Sequence, residues 1–498
     1  MPDCQENSRN IIRGHGLEWI DRITVGYLAF PIFLFFLWLE PLYAVGAFLL
    51  MVYGVFYTLQ GPATGLGISR RWLMGLGLFA CVWVALSGIG HFVYANTDWI
   101  IRDAVLHDLS VLAWPPTYAD SAGIFILRAP VAYFLPAAAV GYAFGTSAAD
   151  MALYLWTALG WLLVLVSACK LFDTPRQYVL CALILTFFGG MDVLGYLWRY
   201  GEPTLGEHIE GWGRGIQYSS NTTLLFWVPN HALPSWLVTA FIIRHWRHTT
   251  LARTAPLLLT VVPLWSPLAA IGLLPFFLLG LAWRRDSRLL FSLRTCLPFA
   301  PLALVMAQYL GMDASSVPHG WQMEVFPFMF FDVFALWYAL FCMLEFGFLV
   351  LLLLGILRIS WPLGIAVCVL FFLPFYHYGP NNDLAMRSSI PSLMVLSLAS
   401  VKALLQSSHA FIRAALACVL IIGALGALQE PARALLEPRW QARNQYLPEA
   451  IRAENPRAKN IFAPHYFARV SSHGVQALLR KSTPMNASRL AERKGLAF

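Results

Sequence analysis

Residues 151–169 read MALYLWTALGWLLVLVSAC, an uncharged run that, at about 1.5 Å per helical residue, reaches across about 30 Å of hydrocarbon. Similar runs recur at Ile23–Leu39, Leu42–Leu59, Trp72–Ala95, Tyr178–Trp198 and Phe411–Ala427. Lipid offers backbone groups no hydrogen-bond partner, so such spans are helices. Composition agrees: 59% of the 498 residues are hydrophobic and 12% are charged, where a soluble domain carries roughly 25% charged residues. The expected fold is an all-α polytopic membrane protein of about 11–13 transmembrane helices. The polar segment ahead of Ile23–Leu39 is too long for a cleaved signal, so this run is expected to stay as the first helix.

The net charge of +8 would suit nucleic acid if it were clustered. Instead it is spread over short linkers and the C-terminal tail, so no nucleic-acid partner is expected. The N-terminus and the linkers holding Arg70/Arg71, Lys170/Arg176, Arg244–Arg253, Arg284–Arg294, Arg358 and Lys402/Arg413 carry 17 Lys/Arg. Loops 96–121, 199–230, 310–325 and 377–387 carry four, with ten Asp/Glu. The positive-inside rule then puts these four loops on the outer face.

Two apolar stretches do not fit single crossings. Ala122–Gly145, with Arg128, Pro130 and Pro136, reads as re-entrant or as two short half-helices. Pro256–Trp283, broken at Trp265-Ser266-Pro267, reads as a hairpin returning to the cytoplasmic side. Residues 1–428 form the transmembrane domain, and residues 429–498, with 12 Lys/Arg and five Asp/Glu, a small polar tail or domain. All cysteines but Cys4 lie in apolar stretches without ligand spacing, which suggests neither disulfides nor zinc.

The first outer loop opens a helix at Asn96-Thr97-Asp98, with Asn96 or Thr97 as N-cap. At about 100° per residue, Ile101, Ala104, Val105, Leu109 and Leu112 share one face. Asp98, Arg102 and Asp108 lie on or beside it, whereas Asp103 and His107 point the other way, toward solvent. Asp98 and Arg102 are spaced to pair at i,i+4. The second loop concentrates hydrogen-bonding side chains: Glu202, Glu207, His208, Glu210, Gln217, Tyr218, Asn221, and finally Asn230 and His231. With the rings of Trp212, Tyr218 and Trp227, these suit a polyhydroxylated ligand. In the last loop, Asn381, Asn382, Asp383 and Arg387 run into Ser388-Ser389 and a spanning helix, where a cation beside a helix N-terminus suits phosphate. Asp383 is also Arg387's i,i+4 partner. Asp192, Asp332 and Glu345 lie inside apolar runs, where carboxylates are paired or functional.

Asp98-Trp99-Ile100-Ile101-Arg102-Asp103 through Leu109 with Trp114-Pro115, Gly190-Met191-Asp192, Gln217–Thr223 with Trp227 and Asn230, and Asn382-Asp383 with Met386-Arg387-Ser388 form an ordered set. This set resembles the GT-C superfamily of membrane glycosyltransferases, over residues 72–404 and not over the tail. The resemblance implies a GT-C-like bundle with a catalytic acid in the first outer loop, mapping to Asp98. It also implies a polyprenyl-phosphate sugar donor and a lipid-linked glycan, polysaccharide or protein acceptor. The site would face the outside of a bacterial cytoplasmic membrane. The chain departs from better-known members in having three helices, not one, before the acidic loop. On this reading Asp98 acts as base, in an inverting transfer. Asp108 orients it or holds an ion, and Arg387 with Arg102 neutralises the leaving phosphate. Glu210, Gln217, Tyr218, Asn221, Asn230, His231, Asn382 and Asp383 contact substrate. No metal or other cofactor is assigned. The rival readings are a flippase of lipid-linked glycans, working through Asp192, Asp332 and Glu345, and a non-catalytic subunit of a polysaccharide assembly complex.

Overall fold

A computed structural model of the chain describes residues 17–63, 65, 67–120, 123–213, 215–284, 296–322, 331–454, 456, 461–470 and 477–486. Cys4, most of the Arg284–Arg294 linker, positions 323–325 of the third outer loop and the Asp332 side chain lie outside this description. Among the described residues, seven helices are long and apolar enough to cross a membrane: Trp19–Trp38, Pro41–Thr58, Thr146–Cys169, Pro175–Tyr200, Ala335–Ile356, Asp383–Gln406 and Ala410–Leu436. Shorter apolar helices, among them Leu135–Phe144, Pro229–His245, Thr249–Trp265 and Pro267–Arg284, complete the bundle. The chain is an all-α polytopic membrane protein. Pro41–Thr58 and Ala410–Ala427 turn Leu42, Phe48, Phe56, Phe411 and Ile421 outward, as a lipid solvent permits.

Local chemistry sets the breaks. Thr174 and Gln177 form a capping box, with Pro175 at the first helical position, and start the helix Pro175–Phe187. The helix stops at Phe188 and restarts at Asp192. Between them a Cβ on Gly190 would come within 2.2 Å of the Glu345 carboxylate, so only glycine admits this approach. Ser266 precedes a proline and is extended (φ −166°, ψ 106°), as the ring of Pro267 requires. Its hydroxyl then caps the next helix by accepting from Ala269 N–H at 3.0 Å. Gly280 returns against Trp246 and Leu251, so Thr249–Trp265 and Pro267–Arg284 are antiparallel neighbours, as the Trp-Ser-Pro break implies.

Ala122–Gly145 is built differently from expectation. Among the described residues there are six short strands: β1 (Thr117–Asp120), β2 (Gly123–Leu127), β3 (His319–Trp321), β4 (Tyr376–Tyr378), β5 (Phe467–Arg469) and β6 (Met485–Asn486). The first part of the stretch is β2, and only Leu135–Phe144 is helical. The strand order β5-β2-β1-β6 supplies the reason: the tail contributes both flanking strands, so β2 pairs with β1 beside it and with β5, about 340 residues further on. Arg128 lies under this sheet, donating to the carbonyls of Pro464 and Leu310. Residues beyond 428 are thus laced into the outer loops. β3 and β4 pair antiparallel and tie loop 310–325 to loop 377–387.

The first helix links the two ends of the bundle. Near its start, Arg244 donates to Asp21 at 2.7 Å and Glu18 at 2.6 Å, and Lys170 meets Glu18 at 3.2 Å. The basic linkers therefore gather at one end. Beyond its far end, Trp38 O accepts from Arg480 N–H at 2.8 Å and Glu40 N–H donates to Leu478 O at 2.9 Å, which places the tail and the polar loops together at the other.

Candidate functional site

The helix Asp98–Val111 is held by its first turn. Asn96 Oδ1 accepts from Asp98 N–H at 3.1 Å, while Asn96 Nδ2 and Trp99 Nε1 both donate to the Phe226 carbonyl, at 3.0 and 2.9 Å. Asp98 and Arg102 pair at 3.0 Å, as their spacing foretells. A cavity of about 440 Å³ opens beside them, lined by Asp98, His208, Gln217, Ser219, Thr223, Trp227, His377, Asn381, Met386 and Arg387, with backbone of the glycines at 211 and 215. Three of the four polar loops thus share one chamber. Its charges are a half-exposed carboxylate, Asp98, facing a largely buried guanidinium, Arg387. The Asp383 partner of Arg387 is distant, at 3.6 Å. Among the described residues neither Arg387 Nε nor Arg102 Nε has an acceptor, and His377 Nδ1 has no partner. A buried donor left unmade costs about 1–3 kcal/mol.

His208 adds an imidazole to the chamber wall. Burial works against its protonation, but the bond to Glu430 at 3.3 Å and the charges of Glu210 and Glu430 outweigh it and raise its pKa above the ordinary 6.5. Glu210 is buried beneath and accepts from Thr223 Oγ1 at 2.6 Å, Ser220 N–H at 3.0 Å and Gln217 Nε2 at 3.3 Å. It shapes the chamber floor without lining it.

Comparison with protein-family models, with characterised proteins and with solved structures found no match. The reading of the site therefore rests on the geometry of its own residues.

Of the residues singled out in the sequence, Asp98, Gln217 and Arg387 line the chamber, and Arg102 joins them through Asp98. Asp108 does not. It lies ten positions along the helix, about 15 Å from Asp98, and its oxygens are occupied by the Tyr118 hydroxyl at 2.6 Å, Leu447 N–H at 3.0 Å and His107 at 3.2 Å. Neither orienting Asp98 nor holding an ion is open to it. Tyr218 is buried against Phe341 and Phe346, its hydroxyl donating to the Leu370 carbonyl. Asn221 donates to Leu185 O at 2.6 Å, and His231 Nδ1 lies 2.6 Å from Ser266 Oγ. Asn230 is buried, and its amide oxygen has no partner among the described residues. Asn382, in the left-handed region (φ 54°), caps the short helix Asp383–Ser388. The short helix ends at Ser388 and, after a turn at Ser389, the helix Ile390–Gln406 begins, while the Ser388 and Ser389 hydroxyls are spent on the carbonyls of Leu268 and Met386.

Asp103, expected in solvent, is buried and bonded to His91 Nε2 at 2.9 Å. The helical phase is right for the apolar face, but the opposite face is also covered, by His91, Trp440 and the tail helix Leu447–Glu454. Burial raises the Asp103 pKa above 3.8 although His91 lowers it. The tail also brings Tyr466 and Glu454 within electrostatic range of Asp98 and Arg102. More than 350 residues separate them in the chain, and no local signal marks them. Among the described residues, no group of three or more His, Cys, Asp or Glu side chains is arranged to hold a metal ion.

Proposed function

We propose that the chain transfers a sugar from a polyprenyl-phosphate donor to a lipid-linked glycan, polysaccharide or protein acceptor, in a chamber on the outer face of a bacterial cytoplasmic membrane. One observation carries the reading: Asp98 and Arg387, drawn from loops almost 290 residues apart, line the same chamber of about 440 Å³. In the transfer, an acceptor hydroxyl oxygen attacks the anomeric carbon while the bond from that carbon to the phosphate oxygen breaks, and the electron pair leaves on polyprenyl phosphate. Asp98 takes the hydroxyl proton. Arg387, with Arg102 behind Asp98, balances the phosphate charge as it develops. Trp227 offers a ring face, and Gln217 and Ser219 offer hydrogen bonds, to the sugar. Phosphate leaves readily, so a second carboxylic acid is not demanded, and Asp108 is free for its structural work. The test is conversion of radiolabelled polyprenyl-phosphate sugars by the purified chain in lipid. Label should pass to an acceptor; label that crosses the bilayer still joined to its donor would instead mark a flippase.

A further inference from the structure

Asp192 and Glu345 belong to different spanning helices, and the fold brings them together at a point where both helices are irregular. The chain breaks between Phe188 and Asp192. Opposite the break lies the π turn Met343–Gly347, whose Leu344 carbonyl accepts from Met191 N–H at 3.0 Å. A single π turn inside an α-helix re-aims its side chains and occurs mostly at functional positions. Here it brings the Glu345 carboxyl to the same indole that serves Asp192. One indole N–H serves both: Trp212 Nε1 donates to Asp192 Oδ1 at 3.2 Å and to Glu345 Oε1 at 3.0 Å. Asp192 is 1% exposed and Glu345 4%. Asp192 Oδ2 and Glu345 Oε2 have no donor among the described residues.

Two buried carboxylates that share one donor inside a membrane bundle cannot both keep their charge, because the low dielectric magnifies their repulsion and each loses its hydration. Glycines back the site, since a Cβ on Gly190 would strike Glu345 Oε2 and one on Gly426 would lie 3.5 Å from Asp192 Oδ2. Among the described residues, titratable groups near the pair are Glu210, His208 and Tyr218, all from loop 199–230. Gln217 Nε2 lies 3.3 Å from Glu210 Oε2 and 3.4 Å from His208 Nε2, and Gln217 and His208 line the outer chamber. A polar line therefore runs from Glu210, the charged neighbour of the pair, to the chamber.

We propose that Asp192 and Glu345 form an intramembrane proton-binding site that holds one proton between two carboxyl groups and exchanges it with the outer chamber past Glu210. The site does not depend on glycosyl transfer and would serve any process that couples a proton to the chamber's contents. Infrared difference spectroscopy on the full chain in lipid nanodiscs tests it, because a neutral carboxylic acid has a carbonyl band that a carboxylate lacks. At neutral pH the wild type should show an acid band that shifts in deuterium oxide. The band should move in frequency but persist in Asp192→Asn and in Glu345→Gln, and it should vanish in the double variant. Glu210→Gln should slow its deuterium exchange at least tenfold. An acid band identical in wild type and both single variants would overturn the proposal, and that comparison stands even if the double variant fails to insert. A band abolished by added sodium or potassium would also overturn it, by making the ligand a metal cation. Unchanged exchange in Glu210→Gln would overturn the route.

Discussion

Replacing Asp108 by alanine takes the acceptor away from three donors at once. The Tyr118 hydroxyl and Leu447 N–H both donate to Oδ2, at 2.6 and 3.0 Å, and His107 Nδ1 meets Oδ1 at 3.2 Å. Each buried donor left without an acceptor costs about 1–3 kcal/mol. His107 is only part-buried and can turn to water, which leaves two orphans and about 4 kcal/mol. Some of this is offset, because burial raises the Asp108 pKa, a sign that the carboxylate itself was buried at a loss. A net of about 3 kcal/mol remains. Leu447 opens the helix Leu447–Glu454 that covers the Asp98–Val111 helix, so the loss should fall on local opening of the tail. Amide hydrogen exchange across residues 447–454, read by mass spectrometry in nanodiscs, should quicken about a hundredfold, since about 1.4 kcal/mol is a factor of ten. Asp108→Asn, which keeps one acceptor oxygen, should fall between. Unchanged protection of 447–454 in Asp108→Ala would refute the view that this carboxylate latches the tail to the site.

Arg387→Ala should weaken binding of a polyprenyl-phosphate sugar by about tenfold to a hundredfold, the worth of a charge-assisted hydrogen bond, and Arg387→Lys should recover only part because the planar fork is lost; equilibrium binding of labelled donor reads both. His91 should make the tail's attachment pH-dependent. Burial works against its protonation, but the Asp103 hydrogen bond and the charges of Asp103 and Asp150, with the Trp440 carbonyl, outweigh it and raise its pKa above 6.5. The folded chain thus holds this proton more tightly than the unfolded one. The stabilisation is complete below pH 6.5 and is lost as pH rises through the raised value, so proteolysis near Trp440 should increase there, and in His91→Gln it should lose that pH dependence. Orientation is tested with single cysteines in a background without native thiols. Gln217→Cys and Arg452→Cys should label from outside intact cells, and Arg71→Cys only after permeabilisation; the reverse pattern would put the chamber in the cytoplasm.

What was legible in the sequence was local. The i,i+4 spacing of Asp98 and Arg102 foretells their pair, and Trp265-Ser266-Pro267 foretells the hairpin because a residue before proline is driven out of the helical region. Uncharged runs of spanning length foretell the bundle. Distant partners were not legible. Asp103 reads as a solvent carboxylate on a one-sided helix until His91 and the tail cover its second face. β2 reads as part of a re-entrant or half-helical stretch because its partner β5 comes from the tail. Tyr218 reads as a sugar platform because nothing nearby reveals that Phe341 and Phe346 enclose it. Asp192 and Glu345 each stand out as carboxylates in apolar runs, but their meeting depends on a helix break and a π turn that no periodicity announces.

Turnover of Asp98→Asn is the most direct measurement. The amide keeps the shape of the side chain and can still meet Arg102, but it cannot accept a proton from an acceptor hydroxyl. With the variant inserted, monodisperse and binding labelled polyprenyl-phosphate sugar as the wild type does, transfer of label to acceptor should fall about a hundredfold or more. Transfer at the wild-type rate would contradict the assignment of Asp98 as the base and, with it, the reading of the chamber as a glycosyltransferase site.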